Sequence, residues 1–111
     1  MTQSLIDTAV YAELTDAMGA AFAAELVTTF LEDAPNMIAA LKQGATDGDA
    51  DAYRRAAHSL KSNAEVFGAT ALATHARDME LSGLPATAPP IPALEAVYAD
   101  TAHALRALLD A

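Results

Sequence analysis

The residues best suited to chemistry in this sequence are His58 and Lys61. If the surrounding stretch is helical, its apolar residues recur at spacings of three and four and form one stripe. That stripe comprises Tyr53, Ala56, Ala57, Leu60, Ala64 and Phe67. At about 100° per residue, His58 points roughly 150° away from the centre of the stripe. Lys61 follows on the next turn, and the small Ser59 and Ser62 leave the imidazole uncovered. The pattern predicts an accessible histidine on a rigid helix, with a cation beside it.

A neutral imidazole with a reference pKa of about 6.5 is a good nucleophile near pH 7. Attack on a phosphoryl group would give a phosphohistidine, whose P–N bond is labile enough to pass the group onward. The Lys61 ammonium would hold the transferring oxygens. A second protein would have to reach the ring.

Two other histidines compete for this role. His103 also points away from its apolar stripe, and Arg106 follows three residues later. Geometry alone does not separate His103 from His58, although His58 lies on a central helix and His103 lies near the C-terminus. His75 borders an apolar stripe, which favours a partly buried, hydrogen-bonded histidine.

The stretch that begins at His58 and contains Lys61 resembles a known signature. His58-Ser-Leu-Lys61-Ser, with Gly68-Ala69 further on, is similar to the H-x-L-K-G motif of histidine-containing phosphotransfer (HPt) domains. Further similarities cover roughly residues 20 to 82: Phe30-Leu-Glu-Asp-Ala-Pro35, Gly48-Asp49, Tyr53-Arg-Arg-Ala-Ala57, Leu72 and Met79-Glu80. Ser62 departs from the family, which has glycine there and so more room beside the histidine. Because serine is also small, we expect weaker partner docking at most.

The resemblance implies a phosphorelay intermediate without a kinase domain of its own. It would carry phosphate on His58 between receiver-domain aspartates, or from a hybrid sensor kinase, with Lys61 stabilising the phosphoryl charge. The predicted docking residues are Arg54, Arg55, Ser59, Ser62 and Glu65, with Phe22 or Val66 as an apolar rim. No cofactor is expected on this chain, since the partner receiver would supply the Mg²⁺. The alternative is a helical interaction module that carries no phosphate.

Composition narrows the partners. The formal charge of −9 argues against nucleic acid and anionic membranes. Three of the six basic residues nevertheless lie close to His58, as a positive patch or as an ordinary salt-bridged helix face: Arg54, Arg55 and Lys61. The chain has no cysteine, no signal peptide and no membrane-length apolar run, which indicates a cytoplasmic protein. Its starting methionine favours a free-standing protein, and we expect a monomer.

Metal and nucleotide sites are disfavoured by the motifs. Di-iron bundles use Glu-x-x-His pairs, and the chain offers only Asp100-x-x-His103. No glycine-rich nucleotide loop is present, so we expect neither ATP binding nor self-phosphorylation.

The elements that must position His58 are all predicted to be helices, because alanine, leucine and glutamate dominate. They run from Asp7 to about Leu14, from Thr15 or Asp16 to about Gln43, from Asp47 or Asp49 to about Phe67, from Ala69 to about Ser82, and onward from about Pro92. Pro35 is expected to kink the second helix and Gly44 to end it. Short links between amphipathic helices predict one domain over residues 1–111. It would be an all-α, antiparallel up-down-up-down four-helix bundle with a short extra N-terminal helix.

Overall fold

A computed structural model of the chain describes residues 5–110. Within that range it contains five helices and no strand, which confirms the all-α prediction. The helices are α1 (Thr8–Met18), α2 (Ala20–Asp47), α3 (Ala50–Val66), α4 (Thr70–Ser82) and α5 (Ile91–Asp110). None of these described helices combines the length and the hydropathy that a membrane span requires.

The helix α3 lies between α2 and α4, and α5 closes the arrangement by contacting both α4 and α2. The short α1 packs against α2 and α3. Only Gly48 and Asp49 separate α2 from α3, and only residues 67–69 separate α3 from α4. Links this short favour antiparallel neighbours. The exact up-down order of the bundle stays a prediction.

Two aspartates begin helices, as the sequence predicted. The Asp7 carboxylate accepts a hydrogen bond from the Ala9 amide at 3.1 Å, and that of Asp49 accepts one from the Ala52 amide at 3.0 Å. Each satisfies a backbone donor that the first helical turn leaves unpaired, and such a cap contributes about 1 kcal/mol. Asp49 is therefore the cap of the helix that carries His58, and Asp47 is not.

The junction between α1 and α2 differs from the prediction. α1 does not stop near Leu14 but continues to Met18, and α2 begins at Ala20. Thr15 does not cap a helix, because its hydroxyl donates to the Tyr11 carbonyl one turn earlier. Gly19 separates the two helices, with a φ of 87° that glycine adopts without strain.

Gly44 does not end α2, which runs on to Asp47 and ends at the left-handed Gly48. Gly44 is buried instead, and a Cβ atom added there would lie 2.8 Å from the backbone nitrogen of Tyr53. The missing side chain therefore allows the α2 and α3 backbones to approach closely. From the sequence alone, a glycine in this role looks the same as a glycine that ends a helix.

Pro35 lies inside α2, and the helix continues through it as predicted. A proline has no N–H to donate to the carbonyl four residues earlier, which here belongs to Leu31. The Tyr98 hydroxyl on α5 donates to that carbonyl at 3.3 Å. The interruption in α2 is thus compensated by a hydrogen bond that also ties α5 to α2. The predicted kink stays a prediction.

The core is built from the stripes read off the sequence. All six residues of the α3 stripe are buried, including Phe67, which caps the C-terminus of the helix. The apolar side of α4 is also buried: Leu72, Ala76 and Met79, with Ala69 at its N-terminal cap. The ring centroids of Phe30 and Phe67 lie 5.3 Å apart, which joins α2 to the end of α3. Burying such large side chains stabilises the fold by about 1.5–3 kcal/mol each. The packing fixes the rotation of α3 about its axis and so the direction of His58.

Candidate functional site

His58 lies on α3 and faces away from the buried stripe. Its side chain is 55 % exposed, as the helical phase predicted. Because the flanking Ala57 and Leu60 are fully buried, the helix cannot rotate to hide the ring without exposing its core residues.

The Nδ1 atom of His58 lies 2.7 Å from Oε2 of Glu80 on α4. A carboxylate accepts only, so the ring donates through Nδ1–H and a neutral imidazole carries its lone pair on Nε2. Nε2 has no hydrogen-bond partner within residues 5–110. The contact therefore sets both the tautomer and the orientation of the ring.

Lys61 joins the same carboxylate. Its ammonium nitrogen lies 3.0 Å from Oε1 of Glu80, an ion pair by distance but without the angular geometry of a hydrogen bond. The Lys61 ammonium lowers the pKa of the Glu80 carboxyl below its ordinary value. Burial opposes that effect, and the His58 ring adds to it. Glu80 is thus held as a carboxylate between the two predicted site residues.

Glu80 is the residue that sequence reasoning missed. It lies 22 positions from His58, and only the packing of α4 on α3 brings the two together. The sequence requires some acceptor for the second ring nitrogen but does not identify it. The one available signal is that Met79 and Glu80 fall in a segment that resembles the family.

A groove beside His58 is lined by six further residues: Asp51, Arg54, Arg55, Ser59, Glu80 and Leu81. The Arg54 guanidinium is paired with Asp51 at 2.9 Å, so this part of the basic patch is an ordinary salt bridge one turn apart. Arg55 has no ion-pair partner within the described range. Its charge is therefore available to a partner.

A second groove runs between α2 and α3, where Arg55 and Ser59 also line it, with Asn36, Met37 and Ala40 from α2. Arg55 and Ser59 therefore lie on the ridge between the two grooves. The two depressions and the exposed His58 ring form one continuous face of α3, which we call the His58 face.

The remaining predicted docking residues are more scattered. Ser62 is exposed on α3 but lines neither groove, and Glu65 lines a separate groove with Val10 and Arg77. Phe22 and Val66 are exposed, yet neither lines a groove of the His58 face. The exposed large apolar side chain that does line one is Leu81, which is 69 % exposed, and the partly buried Met37 lines the second groove.

The other histidines behave differently. His103 is exposed on α5, and His75 is partly buried as predicted. The hydrogen bond expected for His75 is not formed with any of residues 5–110. Among those same residues, no carboxylate contacts either ring, so a contact that sets the tautomer is seen there for His58 only. Within the described residues, no group of three histidine, aspartate or glutamate side chains converges as a metal site.

Comparison with known proteins agrees with this geometry. None of the curated proteins compared with the chain matches it. The fold is similar to the crystal structure of histidine-containing phosphotransfer protein B from Pseudomonas aeruginosa PAO1, with a TM-score of 0.82 and 28 % identity. That match covers 95 % of this chain and 94 % of the other. The family model of the Hpt domain matches residues 25–111. The chain therefore belongs to the Hpt family of histidine-containing phosphotransfer domains and has a role in phosphorelay signalling.

Proposed function

We propose that His58 is the residue that receives the phosphoryl group and passes it on. The observation that carries this proposal is the 2.7 Å contact of Nδ1 with the Glu80 carboxylate. It supports an Nε2 lone pair that points away from the helix, on a ring that is 55 % exposed. His103 and His75 lack a comparable partner within residues 5–110.

In the transfer step, the Nε2 lone pair attacks the phosphorus of an aspartyl phosphate on the partner. The N–P bond forms as the P–O bond to the aspartyl group breaks, and the aspartate leaves as a carboxylate with the electron pair. The Nδ1 proton stays in its hydrogen bond to Glu80, where the carboxylate stabilises the positive charge that develops on the ring. The reverse step returns the phosphoryl group to a carboxylate.

Lys61 would neutralise part of the charge on the phosphoryl oxygens. It is on the turn next to His58, and its ion pair with Glu80 limits where the ammonium can go. A positioned cation costs less reorganisation during transfer than a mobile one.

The partner is proposed to be a receiver domain, or a hybrid sensor kinase that contains one. Arg55, which has no ion-pair partner among residues 5–110, and the exposed Leu81 offer it one cation and one apolar contact on the His58 face. The receiver would supply its own Mg²⁺, and this chain would need no cofactor. One domain over residues 1–111, a monomeric state, a cytoplasmic location and docking through Ser62 and Glu65 stay predictions.

The test is phosphorylation by a panel of phosphorylated receiver domains. The wild-type protein should acquire an acid-labile, base-stable label, and His58→Gln should abolish it while circular dichroism shows the helical fold intact. His103→Gln is the matched control, because it changes another exposed helical histidine, and it should label normally.

Two results would contradict the proposal. Loss of label in His103→Gln with retention in His58→Gln would place the phosphoryl group elsewhere. Absence of label from every receiver and from acetyl phosphate, in a protein that still binds a receiver, would favour the interaction module that carries no phosphate.

A further inference from the structure

Three cations of α3 flank His58 at the spacing of one helical turn: Arg54 and Arg55 before it, and Lys61 after it. Residues three or four apart on a helix have Cβ atoms about 5–6 Å apart, so their side chains are neighbours on the surface. A phosphoryl group on the ring would therefore lie near all three. Their existing contacts decide which of them is available to bind it.

The Lys61 ammonium is engaged with Glu80. It lies 3.0 Å from Oε1, an oxygen that is buried and has no hydrogen-bond partner within residues 5–110. If the ammonium moved to a phosphoryl group, this carboxylate oxygen would lose its cation at a point that water does not reach, which is costly. Lys61 therefore stays at Glu80 and acts on the phosphoryl charge from there.

The two arginines differ in the same respect. The Arg54 guanidinium is paired with Asp51 at 2.9 Å. Arg55 is exposed and has neither an ion pair nor a side-chain hydrogen bond with any of residues 5–110. Asp33 lines the second groove together with Arg55 but does not come within ion-pair distance of it. Arg55 can therefore bind an anion without giving up a contact to the described part of the chain.

Arg55 and His58 also open onto the same groove, which has a volume of about 660 Å³. Among the described residues, Lys61 does not line that groove. Since the Cα–Cβ bonds of a helix tilt toward its N-terminus, the His58 side chain leans toward the turn that carries Arg55. The ring nitrogen Nδ1 is held by Glu80, so Nε2 is the nitrogen at which the phosphoryl group would form.

A phosphoryl group would change the charge of this groove. It brings about one and a half to two negative charges at neutral pH, and the formal charge of the chain is already −9. The other charged groups that line the groove beside the ring are already engaged: Asp51, Arg54 and Glu80. A guanidinium such as that of Arg55 presents parallel N–H donors that match the geometry of phosphoryl oxygens.

We propose that Arg55 binds the phosphoryl group of phosphorylated His58 directly, with its guanidinium N–H groups donating to the phosphoryl oxygens. This inference rests on the proposed role of His58 as acceptor. Glu80 and Lys61 prepare the ring before transfer, whereas Arg55 stabilises the phosphorylated chain after the receiver has left. Because the contact is exposed, it weakens as the salt concentration rises.

The test is the position of the transfer equilibrium, measured as the distribution of label between a receiver domain and this protein at concentrations too low for a stable complex. A residue that only assists docking changes how fast equilibrium is reached but not its position, because the separated proteins have no docking contact. Arg55→Gln should reduce the equilibrium constant for forming phosphorylated His58 by about threefold, the size expected of an exposed charge pair. Arg55→Lys keeps the charge without the paired donors and should restore part of the loss.

Phosphorus NMR of the phosphorylated protein gives a second readout. A bound guanidinium favours the doubly charged phosphoryl group, so the phosphoryl pKa should be lower in the wild type than in Arg55→Gln. Arg106→Gln, which changes an exposed arginine on α5, is the matched control and should alter neither quantity. Arg54→Gln, which changes the paired arginine of the same groove, should have a smaller effect than Arg55→Gln.

The inference is overturned if Arg55→Gln accepts label at His58 and either its equilibrium constant or its phosphoryl pKa equals that of the wild type. It is also overturned if Arg54→Gln or Arg106→Gln reduces the equilibrium constant as much, since net charge alone would then account for the effect. A wild-type protein that acquires no label from any receiver would instead refute the acceptor role of His58, and this inference with it.

Discussion

His58 and Tyr53 lie on the same helix, five residues apart, and their side chains point about 140° away from each other around the axis of α3. On the His58 face, Glu80 holds both His58 and Lys61, although the imidazole stays largely exposed. On the core side of α3, the Tyr53 phenol is fully enclosed, and its hydroxyl has no hydrogen-bond partner within the described part of the chain. The exposed imidazole therefore has a partner that fixes it, whereas the enclosed hydroxyl has none among residues 5–110.

This difference separates activity from stability. The His58 side chain is 55 % exposed, so water and salt screen its contact with Glu80, and that contact serves mainly to position the ring. The Lys61 and Glu80 side chains are only 21 % and 23 % exposed, so their ion pair is screened less. An unsatisfied buried hydroxyl, by contrast, lowers stability while leaving the distant imidazole untouched. Substitutions in the two regions should consequently affect different measurements.

The largest effect is expected from removing the acceptor of the His58 ring. Glu80→Ala should slow phosphotransfer to His58 by roughly tenfold or more, since it frees both the tautomer and the ring orientation. Stopped-flow transfer from a phosphorylated receiver measures the rate. Lys61→Ala is the companion variant, which keeps the 2.7 Å bond and should slow transfer by a smaller factor without unfolding the bundle. Equal rates in wild type and Glu80→Ala would show that the bond does not position the ring.

The next effect tests the close approach of the α2 backbone to the α3 backbone at Gly44 and Tyr53. Gly44→Ala should destabilise the protein by about 1–2 kcal/mol, because the added Cβ meets the Tyr53 backbone and the clash outweighs the better helix propensity of alanine. Urea unfolding followed by circular dichroism measures the change. Gly48→Ala, where a Cβ meets no atom within 4 Å, isolates the cost of a left-handed alanine. A more stable Gly44→Ala protein would contradict the close approach.

A smaller effect on the free energy of unfolding tests the Tyr53 hydroxyl. Replacing tyrosine by phenylalanine should change stability in opposite directions at Tyr53 and Tyr98. Tyr53→Phe should stabilise the protein by about 1 kcal/mol, because it removes a buried oxygen that has no hydrogen-bond partner within residues 5–110. Tyr98→Phe should destabilise it by a similar amount, since the Leu31 carbonyl loses its donor. Thermal unfolding compares the two. Destabilisation by both substitutions would mean that the Tyr53 hydroxyl is satisfied by bound water.

The smallest effect is the loss of stability at acidic pH that comes from protonation of Glu80. The pKa of Glu80 is lowered in the folded protein by Lys61 and also by His58, so its stabilising contribution is complete above the unfolded value of about 4.3. That contribution is lost as the pH falls through the lower folded value. The difference in urea midpoint between wild type and Glu80→Gln should therefore be larger at neutral pH than at about pH 3. The exposed Glu25→Gln variant controls for the loss of one charge; a constant difference across the range would rule out the coupling.

Much of the fold could be predicted because helical periodicity is a local property. The phase of α3 follows from residues within a few turns, so the exposure of His58 and the burial of Leu60 were both accessible from the sequence. The caps at Asp7 and Asp49 are also local, because each bonds to an amide two or three residues away. The predictions at Thr15 and Gly44 were wrong because each residue type has two common roles. A threonine hydroxyl can cap a helix or donate to the carbonyl one turn earlier, and a glycine can end a helix or let two helices approach closely.

What the sequence by itself determined is a helical chain with a histidine kept out of its apolar stripes and a cation on the next turn. Only the tertiary structure decided that Glu80 would hold both groups, that Tyr98 would satisfy the carbonyl which Pro35 leaves free, and that Tyr53 would have no partner within residues 5–110. The physical reason is that side-chain direction along one helix depends on nearby residues, whereas contacts between helices depend on how several stripes pack at once.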